Sequence, residues 1–154
     1  MVNVFVFYDS KYGNTKLAAE KIGEGIESEG VGVEIGYVKD VGLQEAVCVD
    51  AIILGAPNHM ASPSRTMQKF IDRLASSELK AQKVAVFGTY AGKERTQDRA
   101  VKKLERIVAE KLSGLKLMLP GLSVHVKGVS GPVVEGELPK CVEYGKAIAT
   151  QLKT

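Results

Sequence analysis

Short apolar runs alternate with longer segments of helical periodicity along the whole chain. Residues 2–8, Val-Asn-Val-Phe-Val-Phe-Tyr, are apolar at nearly every position, which predicts a strand buried on both faces. Residues 14–29 then place Leu17, Ala18, Ile22, Gly25 and Ile26 at helical spacing, and Gly30 stands where a helix C-cap glycine is expected. Val31, Val33, Ile35 and Tyr37 alternate with smaller or polar residues, predicting a half-buried strand at a sheet edge. A short helix is expected over 43–47. Residues 50–55 predict a second fully apolar strand. A helix is expected to begin near Ser62-Pro63, with the serine as its cap, and to bury Met67, Phe70, Ile71 and Leu74. A strand over 83–88, a long helix over 95–113, a fifth strand around Val124 and Val126, and a last helix over 136–152 complete the series.

Strands that are apolar throughout need cover on both faces. The alternation therefore predicts an α/β fold, doubly wound in three layers, with a parallel sheet between two layers of helices. No linker, repeat or low-complexity stretch divides the 154 residues, so 1–154 is expected to form a single domain. Hydrophobic residues at 45% and charged residues at 25% are those of an ordinary globular chain, which excludes disordered and fibrous classes. The N-terminal apolar run is too short for a signal peptide, and no run approaches a membrane span, so a cytoplasmic protein is expected. Cys48 and Cys141 both lie in apolar surroundings and are expected as buried reduced thiols.

Ligands of such sheets bind beyond the carboxyl ends of the strands, and three loops qualify: 9–15, 56–63 and 89–94. The first, Asp9-Ser10-Lys11-Tyr12-Gly13-Asn14-Thr15, joins a strand to a helix N-terminus. It combines hydroxyls (Ser10, Thr15), a basic side chain (Lys11), Gly13 for close backbone approach and Asn14 to pin the turn. Backbone amides and the helix dipole favour negative charge there, so the loop is suited to a phosphate. A polar turn with Asn14 or Thr15 merely capping the helix is the plainer alternative.

Ser10-x-x-Gly13-Asn14-Thr15 resembles the phosphate loop of the flavodoxin family, Ser/Thr-x-Ser/Thr-Gly-Asn-Thr, with Tyr12 in place of the usual hydroxyl. The Asp-Ser-x-aromatic-Gly-Asn-Thr form looks most like the flavodoxin-like domain of A-type flavoproteins, here standing alone without room for a diiron domain. The resemblance covers essentially the whole chain. It implies a five-stranded sheet of order 2-1-3-4-5 and bound FMN. It also assigns the second loop, with Pro57, Asn58, His59, Met60 and Ala61, to the inner side of the flavin. Met60 suits the inner ring face, and Asn58 or a nearby carbonyl suits the flavin edge. The third loop, with Thr89, Tyr90, Ala91, Gly92 and Lys93, would offer Tyr90 as an outer stacking ring, and Tyr12 could supply some of the same cover. No catalytic residue is implied.

The net charge of +3 is uneven. Residues 1–50 carry 4 basic and 9 acidic groups, whereas residues 93–116 carry 8 and 4. Familiar flavodoxins are strongly acidic, so the basic middle is a departure. Lys93, Arg95 and Arg99 would form a positive rim beside the flavin, suited to an acidic redox partner. Aromatics are sparse and no Lys/Arg block occurs, which argues against nucleic acid. His59 and His125 make no metal cluster. A receiver domain needs an acceptor aspartate at the end of its third strand, and here that place is Leu54-Gly55. Gly88-x3-Gly92-Lys93-Glu94 is one residue short of a P-loop. Two classes remain. One is an FMN electron carrier between redox proteins, expected as a monomer or weak dimer. The other is a small FMN-dependent NAD(P)H or quinone oxidoreductase, which the Ser62-to-Met67 stretch also resembles.

Overall fold

The computed structural model describes residues 3–44, 48–92 and 98–153. The elements in chain order are β1 (Val4–Tyr8), α1 (Asn14–Ser28), β2 (Val33–Tyr37), β3 (Ala51–Pro57) and α2 (Arg65–Ala75). They continue with β4 (Lys83–Ala91), α3 (Arg99–Lys111), β5 (Lys116–Leu117), β6 (Leu122–Val126) and α4 (Glu137–Lys153). The expected helix over 43–47 falls partly outside the described residues, as does the start of the helix expected from residue 95.

All strand pairs are parallel, and the order runs β2-β1-β3-β4. The sheet has six strands where five were expected. β5 pairs with Lys83–Val84 and β6 with Phe87–Ala91, so both lie along the edge of β4 that β3 leaves open. One expected strand position is therefore filled in two pieces, broken where the chain turns at Pro120-Gly121. From β1 the chain steps to β2 on one side and returns to β3 on the other. The crevice between the carboxyl ends of β1 and β3 is thus a topological switch point, where such sheets bind ligands.

Alternation along β4 sorts the interior into two cores. Val84 and Val86 meet Phe70 and Leu74 of α2 and Leu104 of α3. Ala85 and Phe87 face the opposite way, toward Ile22 of α1 and Ile148 of α4. β1 is buried at all five positions because both layers cover it, and this is why its sequence shows no polar face. β2 is only partly buried, as an edge strand should be.

α1 and α4 lie in close backbone contact. A Cβ on Gly25 would overlap the carbonyl oxygen of Val142, and one on Gly145 would overlap that of Ile22. Two glycines facing each other's helix permit this approach. The Tyr144 hydroxyl of α4 lies 3.1 Å from the Val86 carbonyl oxygen and 3.0 Å from that of Pro120. Cys141 is buried in the same layer, and burial pushes its thiol up to about 12, so it stays protonated. Cys48 corrects the expectation of two buried thiols: it is exposed.

Candidate functional site

The ends of β1, β3 and β4 open into one cavity of about 130 Å³. It is lined by Ser10, Lys11, Tyr12, Asn14 and Thr15 from the first loop. Pro57, Asn58 and His59 come from the second, and Thr89, Tyr90 and Ala91 from β4. Three segments far apart in sequence therefore converge, as the switch point requires. Strand β4 runs to Ala91, so Thr89 and Tyr90 sit on a strand end where a loop was expected.

The first loop turns into α1 at Gly13, whose φ of 90° is in the left-handed region that glycine adopts without strain. Ser10 shapes the turn, its hydroxyl accepting the Gly13 amide at 3.0 Å. No side chain caps α1, and its first turn holds no acidic residue. The amides of Asn14, Thr15 and Lys16 have no acceptor among the described residues. An open helix N-terminus facing a cavity favours an anion. Thr15 is buried and shares a 2.8 Å hydrogen bond between hydroxyls with Thr89. Whichever hydroxyl donates, the other keeps a proton free for a further acceptor. Lys11 reaches back over the Tyr12 ring, with Nζ 5.4 Å from its centroid.

Asn58 prolongs the sheet, its amide donating to the Thr89 carbonyl at 2.8 Å. Its Oδ1 is buried without any hydrogen-bond partner among the described residues. A buried carbonyl oxygen left unpaired at a cavity wall is costly, and a donor supplied by a ligand would satisfy it.

His59 and Ser62 close a tight turn, with His59 amide to Ser62 oxygen at 2.7 Å and the reverse bond at 3.2 Å. Met60 and Ala61 occupy its two corners with φ of 55° and 64°. Two consecutive positive φ values are those of a type I′ turn, usually made with asparagine and glycine. The turn is the setting of Met60, which the resemblance assigns to the inner ring face. Met60 stands fully exposed (100%) at the turn tip, and neither it nor Ala61 lines the cavity. The same turn moves the helix cap. Ser62 is spent on the turn, and Ser64 caps α2 by accepting the Met67 amide at 3.3 Å.

Tyr90 is 7% exposed and lies flat against His125, with ring centroids 4.7 Å apart and planes 8° from parallel. The two are register partners across β4 and β6, so the stack follows from sheet pairing. Tyr12, at 50% exposure, is the more open ring at the cavity. Gly13 and Gly92 are not among the lining residues, and Lys93 lies outside the described residues.

Two lining residues escaped sequence reasoning: Val126 and Val129. Val126 ends β6 and bridges Val133, while the Lys127 amide donates to the Pro132 carbonyl at 2.8 Å. The chain after β6 thus folds back as a small hairpin forming a fourth wall. Gly131 in that hairpin abuts the Asn14 side chain. Applying the carboxyl-end rule to β6 as well would have pointed to Val129.

At the hairpin's base, Glu137 is buried and its carboxylate accepts the His125 amide at 2.8 Å and pairs with Lys140 at 2.8 Å. Burial by itself raises the pKa of this carboxyl. The Lys140 and His125 hydrogen bonds outweigh burial and hold it below the ordinary glutamate value.

Fold and cavity together define a doubly wound α/β protein with an uncapped helix N-terminus beside a partly apolar crevice at its switch point. A family model described as "Flavodoxin domain" matches residues 5–123. The chain belongs to the flavodoxin family, whose members bind FMN and transfer electrons. The flavodoxin of Aquifex aeolicus is 36% identical over 73 residues, 47% of this chain and 40% of that protein. The type A flavoprotein fprA of Rhodobacter capsulatus is 31% identical over 160 residues, covering 97% of this chain and 33% of that protein. A solved flavodoxin from the domain Archaea superposes with a TM-score of 0.82 at 29% identity, over 99% of this chain and 100% of that one. The matches thus span less than half of the Aquifex protein and a third of the Rhodobacter protein. No helix among the described residues is long and apolar enough to cross a membrane.

Proposed function

We propose that this chain holds FMN in the cavity at the ends of β1, β3 and β4, and carries electrons between redox proteins. The observation that carries the reading is the N-terminus of α1, with no side-chain cap, no acid in its first turn and three amides without acceptors. A phosphate group satisfies those amides, and Lys11 adds a positive charge at the same loop. The Thr15–Thr89 pair offers its spare proton to the same end of the ligand. Asn58 Oδ1 accepts a donor from the ring edge, where it otherwise stays unpaired. Tyr12, Tyr90 and Val129 form apolar walls that keep water from a flat ring. FMN, when bound, supplies reversible one- and two-electron chemistry at its ring.

The competing role, direct turnover of NAD(P)H or a quinone, is separated from the carrier role by one experiment. The visible spectrum of the FMN-loaded protein is followed anaerobically, first with NADH or NADPH and then with dithionite. A carrier stays yellow with the pyridine nucleotides and bleaches with dithionite. Rapid bleaching by NADH or NADPH alone would contradict the carrier role.

A further inference from the structure

The two helix layers carry charge in opposite ways. α2 and α3 together hold eight Lys or Arg and three Asp or Glu, whereas α1 and α4 hold five of each. Two of the three acids in the basic layer are already engaged. Asp72 pairs with Lys111 at 3.1 Å, and Glu105 accepts the Gly121 amide at 2.9 Å. Arg65 and Lys69 on α2, with Arg99, Lys102, Lys103 and Arg106 on α3, are exposed and have no carboxylate partner among the described residues.

These cations also sit where helix physics disfavours them. Neither α2 nor α3 has an acid in its first turn, and each begins with an arginine, though Asp98 stands at the N-cap of α3. Positive charge at a helix N-terminus opposes the macrodipole. Arg99, Lys102, Lys103 and Arg106 are spaced three and four residues apart, so they repel one another along one ridge. α4 follows the rule that α2 and α3 break at their starts, opening with Glu137 and closing with Lys153. Local choices that weaken a fold without compensation mark surfaces kept for another purpose.

Both helices start toward the cavity end of the sheet: Pro63, just before α2, bridges Asn58, and Asp98, just before α3, accepts the Ser123 hydroxyl of β6 at 3.0 Å. α2 follows the His59–Ser62 turn, and α3 follows the end of β4. Apolar surface is exposed nearby: Tyr12 and Val129, which line the cavity, and Met60, at the tip of the neighbouring turn, are three of the four large hydrophobics exposed among the described residues. An apolar centre flanked by one sign of charge is the anatomy of an electrostatically steered, transient interface.

We propose that the outer face of α2 and α3, which begins at the cavity end of the sheet, is the docking surface for an acidic redox protein. Its carboxylates meet Arg99, Lys102, Lys103 and Arg106. The inference rests on the electron-carrier reading and adds the partner's chemistry and the surface it uses. The probe is a reduced, acidic [2Fe–2S] ferredoxin mixed with FMN-loaded protein. One electron leaves each cluster, which is oxidised, and enters the flavoprotein, which is reduced. Second-order rates are read by stopped flow across a salt series for three proteins. These are the parent, Lys103→Glu/Arg106→Glu, and Lys21→Glu/Lys146→Glu, which makes the same charge change on the α1–α4 layer. FMN affinity is titrated for each.

The α3 variant is expected to bind FMN as the parent does. Its electron transfer should be slower by about tenfold or more at low salt and converge with the parent at high salt, as screened steering requires. The α1–α4 variant should stay within about twofold of the parent. Rates flat with salt, or equal losses in both variants, would overturn the docking surface while leaving FMN binding intact. So would loss of duplex DNA or anionic vesicle binding in the α3 variant with ferredoxin rates unchanged. Failure of the parent to retain FMN would overturn the carrier reading, and the docking surface with it.

Discussion

The α1–α4 layer and the α2–α3 layer cover the same sheet by different means. α1 and α4 meet backbone to backbone through Gly25 and Gly145, carry balanced charge, and bury Tyr144 with its hydroxyl against two carbonyl oxygens. α2 and α3 pack through Phe70, Leu74, Leu104 and Val108, are tied at the surface by Lys111 and Asp72, and turn a basic ridge outward. The first layer is constrained by packing, and the second is constrained by charge. In the function proposed above, the cavity would take its phosphate seat from the start of α1 and its approach field from the α2–α3 layer.

The sharpest break between the layers is expected at Gly145. Gly145→Val would drive a side chain into the Ile22 carbonyl and should lower stability by about 3 kcal/mol, read from the urea midpoint. Lys102→Ala on the exposed ridge should stay within about 0.5 kcal/mol. Similar costs at the two sites would show that the layers do not differ in this way.

Tyr144→Phe is smaller. It removes the one proton that the hydroxyl shares between the Val86 and Pro120 carbonyl oxygens and should cost about 1 kcal/mol in the same assay. Glu137→Gln adds a pH signature. The folded-state pKa of Glu137 is lowered, so its stabilisation is present above the unfolded-state value and is lost as pH falls through the folded one. The variant should be less stable than the parent at pH 7, by about 1 kcal/mol, and the difference should shrink as pH falls below the ordinary glutamate range. A gap that persists in acid would mean the carboxylate is not the source.

The smallest effect has the opposite sign. Arg99→Glu removes a cation from the first turn of α3 and supplies the anion the dipole favours, so stability should rise by about 0.3–1 kcal/mol. A thermal melt reads it. A loss of stability instead would show that Arg99 is held by the fold, and the ridge would lose its status as a surface kept for a partner.

Much of this was legible before any coordinates. β1 and β3 could be read because burial on both faces leaves an unbroken apolar run, and α1 because Gly13-Asn14-Thr15 opens it and Gly30 follows it. Local chemistry of this kind is written locally. The features that escaped depend on pairing between distant segments. The Tyr90–His125 stack follows from the register of β4 with β6, which no periodicity encodes. Val129 reaches the cavity only because the hairpin after β6 folds back toward Asn14. The turn at Met60 and Ala61 was hidden because a type I′ turn made without glycine carries no sequence signal. The split of the last strand position into β5 and β6 was hidden for another reason: two residues are too short to show alternation.

The central claim, that the open N-terminus of α1 seats the phosphate of FMN, is tested most directly by paired titrations of the apoprotein with FMN and riboflavin. Charge-assisted hydrogen bonds contribute about 1.5–3 kcal/mol each, so FMN should bind at least about 100-fold more tightly than riboflavin. Thr15→Ala should narrow that gap by weakening FMN far more than riboflavin. Equal affinity for the two ligands, or a Thr15→Ala change that weakens both alike, would contradict the assignment of α1 as the phosphate seat.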